Sequence, residues 1–208
     1  MFISAGILGL LMFGGLALLP SFEEPITEDD DIEDEDNDDY ENVAIHASAD
    51  VVMGSFLNDM MDGSDDIDRM HGYNGDDTLI GGDGSDSLFG GEGNDELHGR
   101  DAFTDYLNGG AGNDVIHSGV GDVVTSGDGM DTIHHQIDLQ QNQRIAQIMD
   151  FNPDQDHLVI EVSGDTQPTV SISQTAPTGY SILVNDTPYL MVHSTEPITV
   201  DMITLRST

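Results

Sequence analysis

The sequence predicts an all-β fold organised as a repeat solenoid, on three observations. GGDGSDSLF (81–89) is followed at once by GGEGNDELH (90–98), and GGAGNDVIH (109–117) comes one irregular unit later. Each of these units has Gly at positions one, two and four, Asp at six and an aliphatic residue at eight. Downstream of His135 the glycine content collapses, and β-leaning stretches alternate with turn dipeptides without a helix signal. A short fixed period means that each unit stacks on its neighbours instead of sharing one central core.

Composition narrows the chemistry. The 208 residues include 4 basic side chains, all Arg, against 41 acidic ones, for a formal net charge of −37. Nucleic acid is excluded as a partner, because phosphate binding needs clustered cations. The balance suits a chain that repels itself until divalent cations arrive. With no Cys, disulfides and thiolate sites are excluded, so a metal would have oxygen or imidazole ligands. Eighteen of the 24 glycines lie between Gly54 and His134, which marks out the repeat region at 54–134.

Residues 1–20 form the first segment. Residues 2–19 (FISAGILGLLMFGGLALL) are apolar and uncharged, and as a helix they would span about 27 Å, close to the thickness of a bilayer core. The expected role is a membrane anchor or an uncleaved signal-like helix. A cleaved signal peptide is the alternative, although a basic leading region and an A-x-A-like site are missing; a buried helix is the third reading. The second segment, 21–53, carries 13 acidic residues between Ser21 and Glu41, centred on EDDDIEDEDNDDY (28–40). Such a run stays solvated, so a disordered acidic linker is expected. It fails as an EF-hand loop: Asp34, Asp36 and Asp38 alternate correctly, but Asp39 stands where Gly is required and Ile45 where Glu is.

The array opens with GSFLNDMMD (54–62) and GSDDIDRMH (63–71), then GYNGDDTLI (72–80). After 81–98, GRDAFTDYLN (99–108) is one residue long and SGVGDVVT (118–125) one residue short, and SGDGMDTIH (126–134) closes the series. Asp59, Asp68, Asp77, Asp86, Asp95, Asp114 and Asp131 hold position six, and Asp105 and Asp122 take its place in the two odd-length units, each of the nine with an apolar residue two later. Glycine permits positive φ and leaves its carbonyl unobstructed, and Asp adds a carboxylate at the end of the turn. Calcium seeks six to eight hard oxygens in flexible geometry, so it is the cation this period suits. The residue at eight shares a strand face with the Asp and packs inward, so one unit is half a coil.

The period resembles the RTX family of calcium-binding nonapeptide repeats, G-G-x-G-x-D-x-U-x, most closely at 81–98 and 109–117. The resemblance implies a right-handed parallel β-roll with Ca2+ held between turns one coil apart. One edge would then stack the turns of Asp59, Asp77, Asp95, Asp114 and Asp131, and the other those of Asp68, Asp86, Asp105 and Asp122. Well-formed glycine turns concentrate on the first edge, where Gly75, Gly93 and Gly112 occupy position four, so three to five ions are expected, mainly there. On the second edge only 81–86 is well formed, and the odd-length units are expected to disturb the outer sites.

Residues 135–208 are expected to form a small C-terminal β cap of five or six strands. Ile148, Asp150, Phe151, Pro153, Asp156 and Leu158 resemble a β segment that follows RTX repeats; in that setting the C-terminal region also carries a type I secretion signal. Asp150 and Asp156 are candidates for a last calcium site, and an ordinary hairpin is the plainer reading. His98, His117 and His134 hold position nine of alternate units and would stack on one outer surface, either as exposed polar positions or as a transition-metal site.

Catalytic motifs are missing from the sequence. His134 and His135 are followed by Gln136, Ile137 and Asp138, not by a zinc-protease pattern, and Ser85 lies between Gly84 and Asp86 in no nucleophile elbow. The expectation is a non-catalytic, exported or surface-displayed calcium-binding protein that folds on calcium; protein or glycan partners are left open. A hydrolase with its site in the C-terminal module and the roll as an export aid is the alternative.

Overall fold

The computed structural model describes residues 43–46, 51–140, 144–164 and 167–207. The expected anchor helix at 1–20 and the acidic stretch at 21–42 lie outside the described residues. Among the described residues, no helix is long and apolar enough to cross a membrane.

Short strands recur at the repeat period. They begin with β1 (Val43–His46), β2 (Val51–Met53), β3 (Asp59–Ser64), β4 (Arg69–Asn74), β5 (Thr78–Gly82) and β6 (Ser87–Glu92). Next come β7 (Glu96–Gly99), β8 (Tyr106–Ala111), β9 (Val115–Ser118), β10 (Val123–Asp128) and β11 (Thr132–Asp138). The last are β12 (Ala146–Ile148), β13 (His157–Ser163), β14 (Val170–Ala176), β15 (Gly179–Val184), β16 (Thr187–His193) and β17 (Ile203–Ser207). A three-residue 3-10 turn at Val200–Met202 precedes β17.

The chain alternates between two sheets. One runs β1-β3-β5-β7-β9-β11-β13-β17, parallel throughout. The other runs β2-β4-β6-β8-β10-β12-β16, also parallel, and ends in the antiparallel pairs β16-β15 and β15-β14. The fold is an all-β parallel roll whose C-terminal end is closed by a meander.

The period explains the packing. Asp at six and the apolar residue at eight are two apart on a strand and face the same way, inward. Met61, Leu79, Leu97, Ile116, Ile133 and Leu158 align across one sheet as an internal file. Val52, Met70, Leu88, Leu107, Val124 and Ile148 do so across the other. All twelve are at most 2% exposed, and each contributes about 1.5–3 kcal/mol on burial. This two-file interior is thin, one residue deep from each side.

Strand pairing crosses both expected domain boundaries. β1 pairs with β3 and β2 with β4, so residues 43–46 and 51–53 join the roll instead of a linker extending to 53. At the other end β11 runs across residue 135, and β12 and β13 extend the two sheets in parallel. The stretch at 144–162 therefore forms a further coil and not a hairpin. Its strands fall on opposite sheets because Ile148 and Leu158 continue the two core files.

Candidate metal sites in the turns

Each turn begins on the residue at position one and ends on the buried Asp at six. One carboxylate oxygen, Oδ1, ties successive coils together by accepting the backbone N–H of the equivalent Asp one coil earlier. Asp77 accepts from Asp59 (2.8 Å), Asp95 from Asp77 (2.9 Å), Asp114 from Asp95 (2.8 Å) and Asp131 from Asp114 (2.9 Å). On the opposite edge, Asp86 accepts from Asp68 (2.8 Å), Asp105 from Asp86 (2.9 Å) and Asp122 from Asp105 (3.0 Å). The odd-length units leave this ladder intact. The 10-residue unit makes two coils 19 residues long, the 8-residue unit makes two of 17, and the aspartates still align.

The second carboxylate oxygen defines the site. Oδ2 of Asp77, Asp86, Asp95, Asp105, Asp114 and Asp131 is buried and accepts no hydrogen bond. Leaving one buried polar group unsatisfied costs about 1–3 kcal/mol, and more for a charged one. A Cβ placed on Gly72, Gly90 or Gly109 would strike the Oδ2 of the same unit's Asp and the carbonyl oxygen of Gly90, Gly109 or Ser126 one coil on. Carboxylate and carbonyl oxygens thus converge above a bare glycine. A site of hard oxygens with negative charge suits calcium, so the residues present fit the ion.

Electrostatics point the same way. Burial, reinforced by neighbouring carboxylates and opposed by the backbone hydrogen bonds, raises the Asp77 and Asp114 carboxyls to about 6. The same causes raise Asp95 to about 7 and Asp105 to about 8. Asp86 and Asp131 are raised as well, by burial first. A divalent cation supplies the countercharge that such groups need to ionise.

The ends of both ladders differ. In the first two units Ser replaces the second Gly, and Ser55 and Ser64 each donate both N–H and Oγ–H to Oδ2 of Asp59 and Asp68. On the second edge Asp122 has both oxygens occupied, by Asp105 N–H and by Gly119 N–H at 2.6 Å. Beside it the Arg144 guanidinium donates to Thr104 Oγ1 at 2.8 Å and to the Ala102 carbonyl, placing a fixed cation in that turn. At the C-terminal end Asp150 accepts from Ser126 and Gly127 N–H, and Asp156 from Asp131 and Asn152 N–H. Both aspartates thus sit beyond Asp131 on the first edge, with backbone donors on all four oxygens.

Spacing alone therefore locates Asp59, Asp68, Asp77, Asp86, Asp95, Asp114 and Asp131, all buried and stacked. Gly75, Gly93 and Gly112 stack with positive φ (113°, 134° and 134°), and a Cβ on Gly93 or Gly112 would strike the carbonyl below. Asp105 belongs with them, although its turn, GRDAFTD, lacks the glycine pattern that marks the turns of Asp77, Asp86, Asp95 and Asp114 in the sequence. The two Ser positions also escape a reading by period. Their signal is nonetheless present, since a hydroxyl side chain four residues before an Asp is a local donor.

A family model for the RTX calcium-binding nonapeptide repeat matches residues 62–97 and 101–124. Among solved structures, the extracellular lipase LipA from Serratia marcescens is similar over 79% of this chain and 42% of that one, with 14% identity and a TM-score of 0.32. The chain thus spans less than half of the lipase. No curated protein matches the chain.

Proposed function

We propose, from the premise that residues 62–97 and 101–124 are RTX repeats and that such repeats bind Ca2+, a non-catalytic calcium-binding protein whose roll folds as calcium arrives. The observation that carries the reading is the file of buried, unpartnered Asp oxygens, of which those of Asp77, Asp95 and Asp114 lie against a glycine and the carbonyl of the next coil. Intervals between two Asp residues that each keep an unpartnered Oδ2 are Asp77/Asp95, Asp95/Asp114 and Asp114/Asp131 on one edge and Asp86/Asp105 on the other. Four ions would result, within the expected three to five. In these intervals the Asp Oδ2 atoms and the turn carbonyls, including those of Gly75, Gly93 and Gly112, would supply the ligands. Asp59 and Asp68 would act at the outer margin, their charge partly answered by Ser55 and Ser64.

Without cations, a net charge of −37 and the stacked carboxylates oppose a core only two files deep. With calcium, binding free energy becomes folding free energy. This coupling suits a chain exported unfolded and assembled outside, where calcium is plentiful. Export to the exterior or cell surface, with 135–208 as cap and secretion module and 2–19 as anchor, is part of the proposal. Equilibrium dialysis against calcium tests it. About four ions per chain support the reading, and no saturable binding at millimolar calcium overturns it.

A further inference from the structure

The outer face of the all-parallel sheet carries a second set of ligand-bearing side chains, away from the turns. Position nine places His98, His117 and His134 in register on β7, β9 and β11. The His98 and His117 rings stack at 4.5 Å and 8°, and the His117 and His134 rings at 5.0 Å and 23°. Glu96 precedes His98 by two residues and so shares its face. Its Oε1 lies 3.0 Å from His98 Nε2 and 3.3 Å from His117 Nε2. One ligand atom from each of the three lies within 4.8 Å of the others. Two donors bound to a tetrahedral ion at about 2.1 Å stand about 3.4 Å apart, so the carboxylate oxygen already sits near ligand spacing from both imidazoles.

We propose that Glu96, His98 and His117 bind one borderline divalent transition ion, of the Zn2+ or Ni2+ class. Two imidazole nitrogens and one carboxylate oxygen favour such ions over calcium, which prefers oxygen throughout. Three protein ligands leave a coordination position open to water or to a donor from another molecule. Only a side-chain adjustment is needed, and Glu96 and His98 are exposed enough to make it (48% and 33% of their side chains).

The neighbouring cation does not compete for the site. Arg100 is tied to Glu161 Oε2 at 3.0 Å and donates to the His134 carbonyl. His134 is itself engaged, with Nδ1 3.1 Å from Glu161 Oε1, so it buttresses the stack without serving as a ligand. Calcium turns and imidazole site thus occupy different surfaces of the same strands.

The test is titration of the full, tag-free chain with Zn2+ or Ni2+ in millimolar calcium, by calorimetry, with Co2+ absorption as a second readout. One transition ion per chain, not displaced by excess calcium, is the expected result. Glu96→Gln and His98→Gln should each weaken binding at least about tenfold, the smallest loss usual for disturbing a metal site. His71→Gln, on the other sheet where His71 stacks on Phe89, should leave binding unchanged. Circular dichroism in calcium establishes that each variant is folded. Absence of saturable binding by the parent chain overturns the proposal. So does unchanged affinity in a folded His98→Gln/His117→Gln double variant.

Discussion

The backbone N–H of Asp95 donates to Asp114 Oδ1 at 2.8 Å although 19 residues separate them, one more than the 18 between Asp77 and Asp95. The extra residue of the 99–108 unit is accommodated in its turn while the strands keep register, with Leu97 opposite Ile116. Both residues keep a buried, unpartnered Oδ2.

Asp114 borders two intervals, so its charge should matter more than that of a carboxylate whose oxygens are both occupied. Asp114→Asn keeps an acceptor for the Asp95 N–H but removes the anionic oxygen. Calorimetric titration should show calcium stoichiometry falling or affinity weakening by about tenfold or more, since calcium affinity follows ligand charge count. Asp122→Asn, whose two oxygens already accept from Asp105 and Gly119, should leave calcium binding near the parent value.

Glycine at 109 is a steric requirement. Gly109→Ala would push a methyl against Asp114 Oδ2 and the Ser126 carbonyl, and should cost about 1–3 kcal/mol in calcium, as overpacking does. Gly119→Ala meets its nearest atoms at 3.4–3.5 Å, ordinary contact, and should be within about 0.5 kcal/mol of the parent. Chemical denaturation of both variants at saturating calcium distinguishes them. Equal losses would contradict the crowding argument.

Acid sensitivity should have a source outside the turns. His135 is buried with Nδ1 3.0 Å from Ser118 Oγ, and burial, with Arg100, lowers its pKa from 6.5 to about 4. Because the folded pKa is depressed, the unfolded chain binds the proton first. The neutral ring's contribution is therefore complete above 6.5 and is lost as pH falls toward 4. His135→Gln removes the titration and retains a polar partner for Ser118. Its melting temperature should fall less steeply than the parent's between pH 6.5 and 4; parallel slopes would show that His135 does not carry this dependence.

Much of the fold and site is legible in the sequence because a nine-residue period fixes both face and edge. Asp77, Asp95, Asp114 and Asp131 can be assigned to one edge, and Leu79, Leu97, Ile116 and Ile133 to the interior, by counting alone. Hydrogen-bond demand is not legible. Whether a carboxylate oxygen is left over depends on local donors such as Ser55, Ser64 and Gly119, and on Arg144 reaching back 40 residues to Thr104. Nor does spacing show that the roll continues past His135. Ile148 lies 24 residues beyond Val124 and Leu158 25 beyond Ile133, so the files continue where the period has ended. The place of Glu96 between two imidazoles also requires the structure, because side-chain reach is invisible to a repeat alignment.

Calcium titration of the full chain followed by circular dichroism tests the central claim most directly. The account predicts little β signal in chelator and a cooperative rise as calcium reaches the millimolar range, reversed when chelator is returned. A chain with the same spectrum and the same resistance to denaturant in chelator and in millimolar calcium would contradict it.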